Sequence, residues 1–222
     1  MNVRRVIAGA SALLFMALAC FASQEASRAG TAGNPTITFR KVFKSSYPEF
    51  VEVKVTESGT GTFDIRQLDE SPNPQPLTLS HQLAQRIFQL AATLHDFQGV
   101  ELEAHRRIAN LGQKTFRYDN GGETHEATFN YTLNDSANQL LDIFEGISRE
   151  EGDISDLRRT MHYDRLGVND VLLQVQNDYN QKLLPEPEQL LSTLDAIAND
   201  DQIINIARDR ARKLAGHIRL AR

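Results

Sequence analysis

The chain has 222 residues and a formal net charge of −5, from 24 basic and 29 acidic side chains. A protein that follows the backbone of a nucleic acid needs a surplus of lysine and arginine, so this balance predicts no nucleic-acid partner. The chain has a single cysteine, so no internal disulfide can form and stability must come from a packed core.

The first 22 residues have the order of a secretory signal. Arg4 and Arg5 precede an uncharged stretch from residue 6 to residue 19, which ends among small residues. This stretch is shorter than the roughly 20 residues that cross a bilayer, and no basic cluster follows it. We therefore expect residues 1–22 to be removed and the protein to be exported, as a periplasmic, membrane-tethered or secreted protein.

Cys20 directly follows Ala17, Leu18 and Ala19. This placement resembles the lipobox of bacterial lipoproteins, whose cysteine is acylated and becomes the new N-terminus, although the family prefers leucine at the position of Ala17. The resemblance implies lipidation at Cys20, which would be the protein's one attachment to a membrane. The alternative is ordinary cleavage, before Cys20 or after Ala22. Residues 23–35 are small and polar and predict a flexible linker in either case.

Alternating side chains from residue 36 to residue 68 predict a first β-hairpin. Val51, Val53 and Val55 alternate with charged residues, and a similar alternation over residues 63–66 follows a glycine-containing turn at 58–61. Residues 37–43 add a third candidate strand. The proline-rich stretch 71–76 is expected to interrupt all regular structure.

A first helix is predicted after Ser80, whose hydroxyl is suited to cap it. Apolar residues then recur at helical spacing; they are Leu83, Ile87, Leu90, Ala91 and Leu94. For residues 101–108 the pattern fits either a short helix or an irregular connection, and we favour the helix.

A second hairpin and a second helix repeat this plan. Phe116 and Tyr118 lead into a turn at residues 119–122, and Phe129 and Tyr131 lead out of it. These aromatic side chains predict a packed inner face, with a ligand-binding face as the alternative. The helix is expected to begin at Asn134 or Asp135. Its apolar stripe consists of Ala137, Leu140, Leu141, Phe144 and Ile147.

Helical periodicity continues from about Gly152 to the end of the chain. Residues 153–184 predict one or two helices, and Pro187 is suited to the first turn of the next one. Residues 190–218 resemble one HEAT-type helical hairpin, with a leucine-rich helix, an Asn-Asp-Asp turn and a second helix that carries alanines. This resemblance implies a packing or protein-contact segment without catalytic residues.

The predicted fold class is therefore α+β. An antiparallel sheet of four or five strands, made of two hairpins each followed by a helix, occupies residues 36–150. A C-terminal helical segment occupies residues 151–222. About 190 residues suffice for one main core with a smaller appendage.

No catalytic or cofactor motif is present in the sequence. The glycines of the first turn are not followed by the remainder of a phosphate-binding or dinucleotide-binding loop, and no serine lies in a nucleophile elbow. We therefore predict no catalytic residue, no cofactor and no metal. The alternative is a ligand or metal site at Glu101, Glu103 and His105, whose spacing places their side chains near one another. His162 with Asp164 and His95 with Asp96 are weaker pairs of the same kind.

These observations favour a non-enzymatic exported protein that binds another protein or supports an envelope assembly. The alternative is an exported hydrolase or small-ligand-binding domain, with a site of carboxylates and histidines beside the open face of the sheet.

Overall fold

A six-stranded antiparallel sheet forms the first half of the computed structural model, which describes residues 34–221. The predicted signal over residues 1–22, Cys20 and nearly all of the predicted linker lie outside the described residues. In chain order the strands are β1 (Thr36–Val42), β2 (Phe50–Thr56), β3 (Thr60–Arg66), β4 (Gln75–Thr78), β5 (Gln113–Asp119) and β6 (Thr124–Phe129). In the sheet they lie in the order β4-β3-β2-β1-β5-β6.

Five α-helices accompany the sheet in the described residues, three of them after residue 164. They are α1 (His81–Thr93), α2 (Asp135–Tyr163), α3 (Val168–Asn180), α4 (Leu191–Asn199) and α5 (Asn205–Leu220). Short 3₁₀ turns lie at His95–Phe97 and Pro187–Leu190. The predicted α+β class is confirmed, with two hairpins each followed by a helix and then a helical segment.

The alternation of the strands separates a buried face of the sheet from a polar one. Phe39 of β1 pairs with Val53 of β2 on one side and with Phe116 of β5 on the other, and all three side chains are fully buried. The neighbouring pair Arg40 and Glu52 points to the opposite face and forms an ion pair at 2.6 Å. An antiparallel sheet with one solvated face has this arrangement.

Helices α1 and α2 cover the buried face, and both begin at the predicted caps. The Ser80 hydroxyl accepts a hydrogen bond from the Leu83 amide at 3.2 Å, and the Asn134 side chain accepts one from the Ala137 amide at 3.0 Å. Each bond satisfies an amide that the first turn of a helix leaves free.

The first hydrophobic core is built around packed phenylalanines between sheet and helices. Phe116 contacts Phe129 with ring centroids 5.3 Å apart, and Phe39 stacks on Phe144 of α2 at the same distance. The predicted packing role of the aromatic hairpin is therefore confirmed for Phe116 and Phe129, whereas Tyr118 and Tyr131 are only half-buried.

Helix α2 extends from this first core into a second one. Phe144 and Ile147 belong to the first core, whereas Ile154 and Leu157 pack with α3, α4 and α5 in the second. Its 29 residues correspond to a length of about 43 Å. The helix therefore continues through Gly152 and across residue 150, the expected end of the α+β domain. A helix tolerates an interior glycine at a cost of about 1 kcal/mol when apolar residues on both sides are packed, as they are here.

Strand β4 corrects the prediction that residues 71–76 interrupt all regular structure, and it makes the sheet six-stranded instead of four- or five-stranded. The strand begins at Gln75 and includes Pro76, which lies opposite Thr62. A proline cannot donate to the sheet, but β4 is an edge strand, where one side of the backbone needs no partner.

Residues 100–112 form an irregular connection, so the helix favoured for residues 101–108 is wrong. The Ala104 amide donates to the Tyr131 carbonyl at 2.8 Å, and the Leu111 amide donates to the Asn130 side chain at 2.7 Å. The backbone of this segment thus finds its partners just beyond the end of β6 instead of within a helical turn.

Candidate functional site

The predicted ligand residues near position 103 make two separate sets of contacts. Glu101 and His105 form an ion pair at 3.7 Å, and both side chains are largely exposed. The Glu103 carboxylate accepts a hydrogen bond from the Asn130 amide at 2.6 Å, which lowers the pKa of Glu103. Glu103 therefore holds the irregular connection against the end of β6.

No group of three histidine, aspartate or glutamate side chains within residues 34–221 is arranged to hold a metal ion. Of the weaker pairs, Asp164 accepts a hydrogen bond from the Gly167 amide at 3.1 Å, and His162 packs edge-on against Tyr163. His95 and Asp96 lie in a tight turn in which both residues have a positive φ. A ligand role for Glu101, Glu103 and His105 stays a prediction.

A buried carboxyl group marks the place where the two cores meet. Glu150 of α2 is 2% exposed, and its Oε2 atom accepts a hydrogen bond from the Glu186 amide at 3.0 Å. Burial raises the pKa of Glu150 to about 8, although this hydrogen bond acts in the opposite direction. The sequence contains a signal for this burial, since Glu150 lies three residues after Ile147 and four before Ile154.

A second acidic group lies one helical turn further along α2. Burial, followed by the nearby charge of Asp178, raises the pKa of Asp153 to about 7. Asp178 itself lies 3.3 Å from the Arg149 guanidinium and accepts a hydrogen bond from Gln174. These groups lie in the packing between α2 and α3, away from the two clefts described next, and we assign them a structural role.

A cleft with a volume of about 780 Å³ lies between the start of α1 and residues 185–189. Several of its polar groups have partners within the fold. Both carboxylate oxygens of Glu186 accept hydrogen bonds from the Ser80 amide, at 3.0 and 3.1 Å. Gln189 donates to the Thr78 carbonyl, and Arg86 donates to Gln139. This cleft is therefore the seam that joins α1 to the C-terminal helices.

A smaller cleft has a volume of about 460 Å³ and lies between the last turns of α2 and helix α4; we call it the α2–α4 groove. Its first wall carries Arg158, His162 and Arg165. Arg158 and His162 are four residues apart and so lie on one face of α2. Arg158 makes no hydrogen bond or ion pair with residues 34–221, while Arg165 donates to the Gln202 side chain.

The opposite wall of the α2–α4 groove carries the hydroxyl side chains of Ser192 and Thr193. Thr193 is only 4% exposed, yet its hydroxyl has no hydrogen-bond partner in the described part of the chain. The sequence contains a signal for its burial, because Thr193 lies three residues after Leu190 and four before Ile197. Asp200 lies at one end of the groove and accepts a hydrogen bond from the Gln202 amide at 2.9 Å.

Beside the groove, two large side chains extend into solvent from the connection between α2 and α3. Tyr163 is 81% exposed and Leu166 is 75% exposed. With Arg165 between them, they form a surface that we call the α2–α3 tip. Tyrosine and arginine are enriched in protein interfaces, whereas most large apolar side chains of this protein lie in its cores.

A scan against protein-family models and a search of curated proteins found no match to this chain. Among the described residues, no helix combines the length and the apolar character needed to cross a membrane. The candidate site therefore rests on its own geometry, an exposed tyrosine and leucine beside a basic groove.

Proposed function

We propose that this protein is a non-enzymatic, exported binding protein that contacts a partner protein through the α2–α3 tip, in an envelope or secreted assembly. The observation that carries the proposal is the exposure of Tyr163 and Leu166 on either side of Arg165. Exposed aromatic and apolar side chains beside arginine are typical of the residues that dominate binding energy in protein complexes.

Charge defines the kind of partner that fits this surface. Arg165 lies between the two exposed residues in the chain and donates to Gln202, and Arg159 is paired with Asp156 at 2.8 Å. A partner that presents an apolar pocket surrounded by carboxylates would bury Tyr163 and Leu166 and face the positive charge of Arg165.

The location of the protein is part of the same proposal. The signal-like residues 1–22 support export, and Cys20 supports a lipid anchor in the membrane, with free release after cleavage as the alternative. Mass spectrometry of the mature N-terminus separates the two. An acylated Cys20 in the membrane fraction supports the anchor, whereas a free N-terminus at Ser23 contradicts it.

The binding surface is tested by photo-crosslinking of the full chain in the cells that produce it. A photoreactive amino acid replaces Tyr163 in one variant and the exposed Thr93 of α1 in a control variant. We expect a discrete crosslinked species for position 163 that is absent for position 93 and is lost when Leu166→Asp is added. Equal crosslinking at both positions, or none at position 163, contradicts the proposal.

A further inference from the structure

We propose that the α2–α4 groove is a binding site for a phosphate group, carried by a small soluble molecule or by a lipid headgroup. This site goes beyond the proposed protein contact. It is lined by Arg158, His162, Ser192 and Thr193, none of which belongs to the exposed pair Tyr163 and Leu166.

The basic wall of the groove supplies the charge that a phosphate needs. The planar guanidinium of an arginine presents parallel N–H groups that match two oxygens of a phosphate. Arg158 has these donors available, since it makes no hydrogen bond or salt bridge with residues 34–221, although its charge acts on the nearby Glu151 carboxyl. His162, one turn later on the same face of α2, supplies a further ring nitrogen.

The opposite wall supplies the independent observation that points to a ligand. Thr193 is 4% exposed and makes no side-chain hydrogen bond with the described residues, and its hydroxyl is not one of their fully buried unpaired atoms, so it is open to the groove that it lines. A hydroxyl that faces a groove and has no partner within the protein can donate to a bound anion. A phosphate oxygen held by Arg158 across the groove would accept this hydroxyl hydrogen.

Size and composition limit the ligand to a compact one. A volume of about 460 Å³ lies at the lower end of the range for small-molecule sites, which runs from about 300 to 1,000 Å³. Met161 and Ala196 give the groove an apolar part that can contact carbon atoms attached to the phosphate. Asp200, the one acidic residue of the lining, lies at the end and is engaged by the Gln202 amide.

The test is isothermal titration calorimetry of the mature chain with two soluble probes, inorganic phosphate and glycerol 3-phosphate. A flotation assay adds vesicles of phosphatidylcholine with and without phosphatidylglycerol. We expect saturable binding of a soluble phosphate, of the phosphatidylglycerol vesicles, or of both. Binding of a soluble probe alone identifies the ligand as a free phosphate compound. Binding of the phosphatidylglycerol vesicles alone identifies it as a lipid headgroup.

Three variants decide whether the groove is responsible. Arg158→Gln should weaken binding by at least about tenfold, since it removes a charge-assisted hydrogen bond. Thr193→Val should weaken it several-fold while preserving the packed shape. Arg159→Gln is the matched control, because this neighbouring arginine is paired with Asp156 and does not line the groove.

The proposal is overturned if neither soluble phosphate nor anionic vesicles bind. It is also overturned if Arg159→Gln weakens binding as much as Arg158→Gln, because the attraction would then be a general effect of surface charge. These outcomes leave the crosslinking test of the α2–α3 tip unaffected, so the two proposals fail separately.

Discussion

The Glu186 amide donates a hydrogen bond to the buried carboxyl group of Glu150 across 3.0 Å, and this bond joins α2 to the segment that leads into α4. The carboxylate of the same Glu186 accepts from the Ser80 amide at the start of α1. Glu186 is therefore bound on two sides, through its backbone to the long helix and through its side chain to the helix that covers the sheet. Glu186 therefore adds a link between the two parts of the fold to the one that α2 provides.

The first prediction concerns the pH dependence of stability. The pKa of Glu150 is raised from 4.5 to about 8. At a pH between these two pKa values, the Glu150 carboxyl has lost its proton in the unfolded chain but keeps it in the folded protein. The free energy of unfolding therefore falls as the pH rises. The slope is at most about 1.4 kcal/mol per pH unit for this one group.

Glu150→Gln removes the proton exchange and keeps an oxygen that can accept from the Glu186 amide. We expect the variant and the unmodified protein to be similarly stable near pH 4.5, and the variant to be more stable near pH 8. Urea denaturation across this range measures the difference. The exposed Glu123→Gln is the control and should leave the pH profile unchanged. Parallel profiles for Glu150→Gln and the unmodified protein would show that this carboxyl titrates normally in the fold.

The second prediction concerns the side chain of Glu186. Its carboxylate binds the Ser80 amide through both oxygens and accepts from Gln189 at 2.9 Å. Glu186→Ala should lower the free energy of unfolding by about 1–2 kcal/mol, the range seen when a helix loses a capping side chain. Hydrogen exchange should also become faster at the Ser80 amide.

Denaturant titration and exchange of the Ser80 amide together check this second expectation. Glu57→Ala, at an exposed position in the turn between β2 and β3, is the control for the loss of one glutamate. Unchanged protection of Ser80 in Glu186→Ala would mean that the contact contributes nothing to holding α1 against the C-terminal helices.

The sequence predicts best those helices and strands for which the apolar pattern and the residues at the ends indicate the same element. Ser80 and Asn134 are capping residues immediately before regular apolar stripes, and both helices begin there. The valines of β2 alternate with charged residues, and the strand buries one of its faces accordingly. In these segments, local preference and tertiary packing favour the same structure.

The features that the sequence did not predict depend on distant partners. Strand β4 exists because Leu77 and its neighbours pair with β3, which overrides the local effect of Pro76 at a sheet edge. The segment near Glu103 is irregular because the end of β6 satisfies its backbone. The α2–α4 groove combines residues about 30 positions apart, and its free hydroxyl on Thr193 becomes visible only when α4 is packed.

The third prediction compares two glycines of α2. A Cβ atom on Gly146 would lie 2.9 Å from the Leu183 carbonyl oxygen and 3.0 Å from the Pro185 ring, whereas one on Gly152 would meet no atom within 4 Å. Gly146→Ala should therefore destabilise the protein by about 1–3 kcal/mol, since the crossing segment must move away. Gly152→Ala should stabilise it by about 0.5–1 kcal/mol, because alanine favours the helix.

Urea midpoints of the two variants measure this contrast, and each variant serves as the control for the other. Similar shifts in the same direction would contradict the close approach of residues 183–185 to α2.

The fourth prediction concerns a buried lysine near the start of β5. Lys114 is 5% exposed, and its ammonium group donates to the carbonyls of Leu111, Gly112 and Asn130 at 3.1, 3.2 and 2.9 Å. Three N–H donors thus meet three acceptors, which satisfies a charge that burial otherwise disfavours. Burial, followed by the charge of Lys41, lowers the pKa of Lys114.

Lys114→Met keeps most of the aliphatic stem but removes all three donors. It should lower the free energy of unfolding by about 1–3 kcal/mol, because one buried and two partly buried carbonyl groups lose their donor. It should also speed hydrogen exchange at Leu111 and Gly112, since the irregular connection loses its link to the strand. Lys54→Met on the exposed face of β2 is the matched control and should change neither quantity appreciably. If Lys114→Met proves as stable as the control, the aliphatic stem and not the ammonium group anchors this end of the sheet.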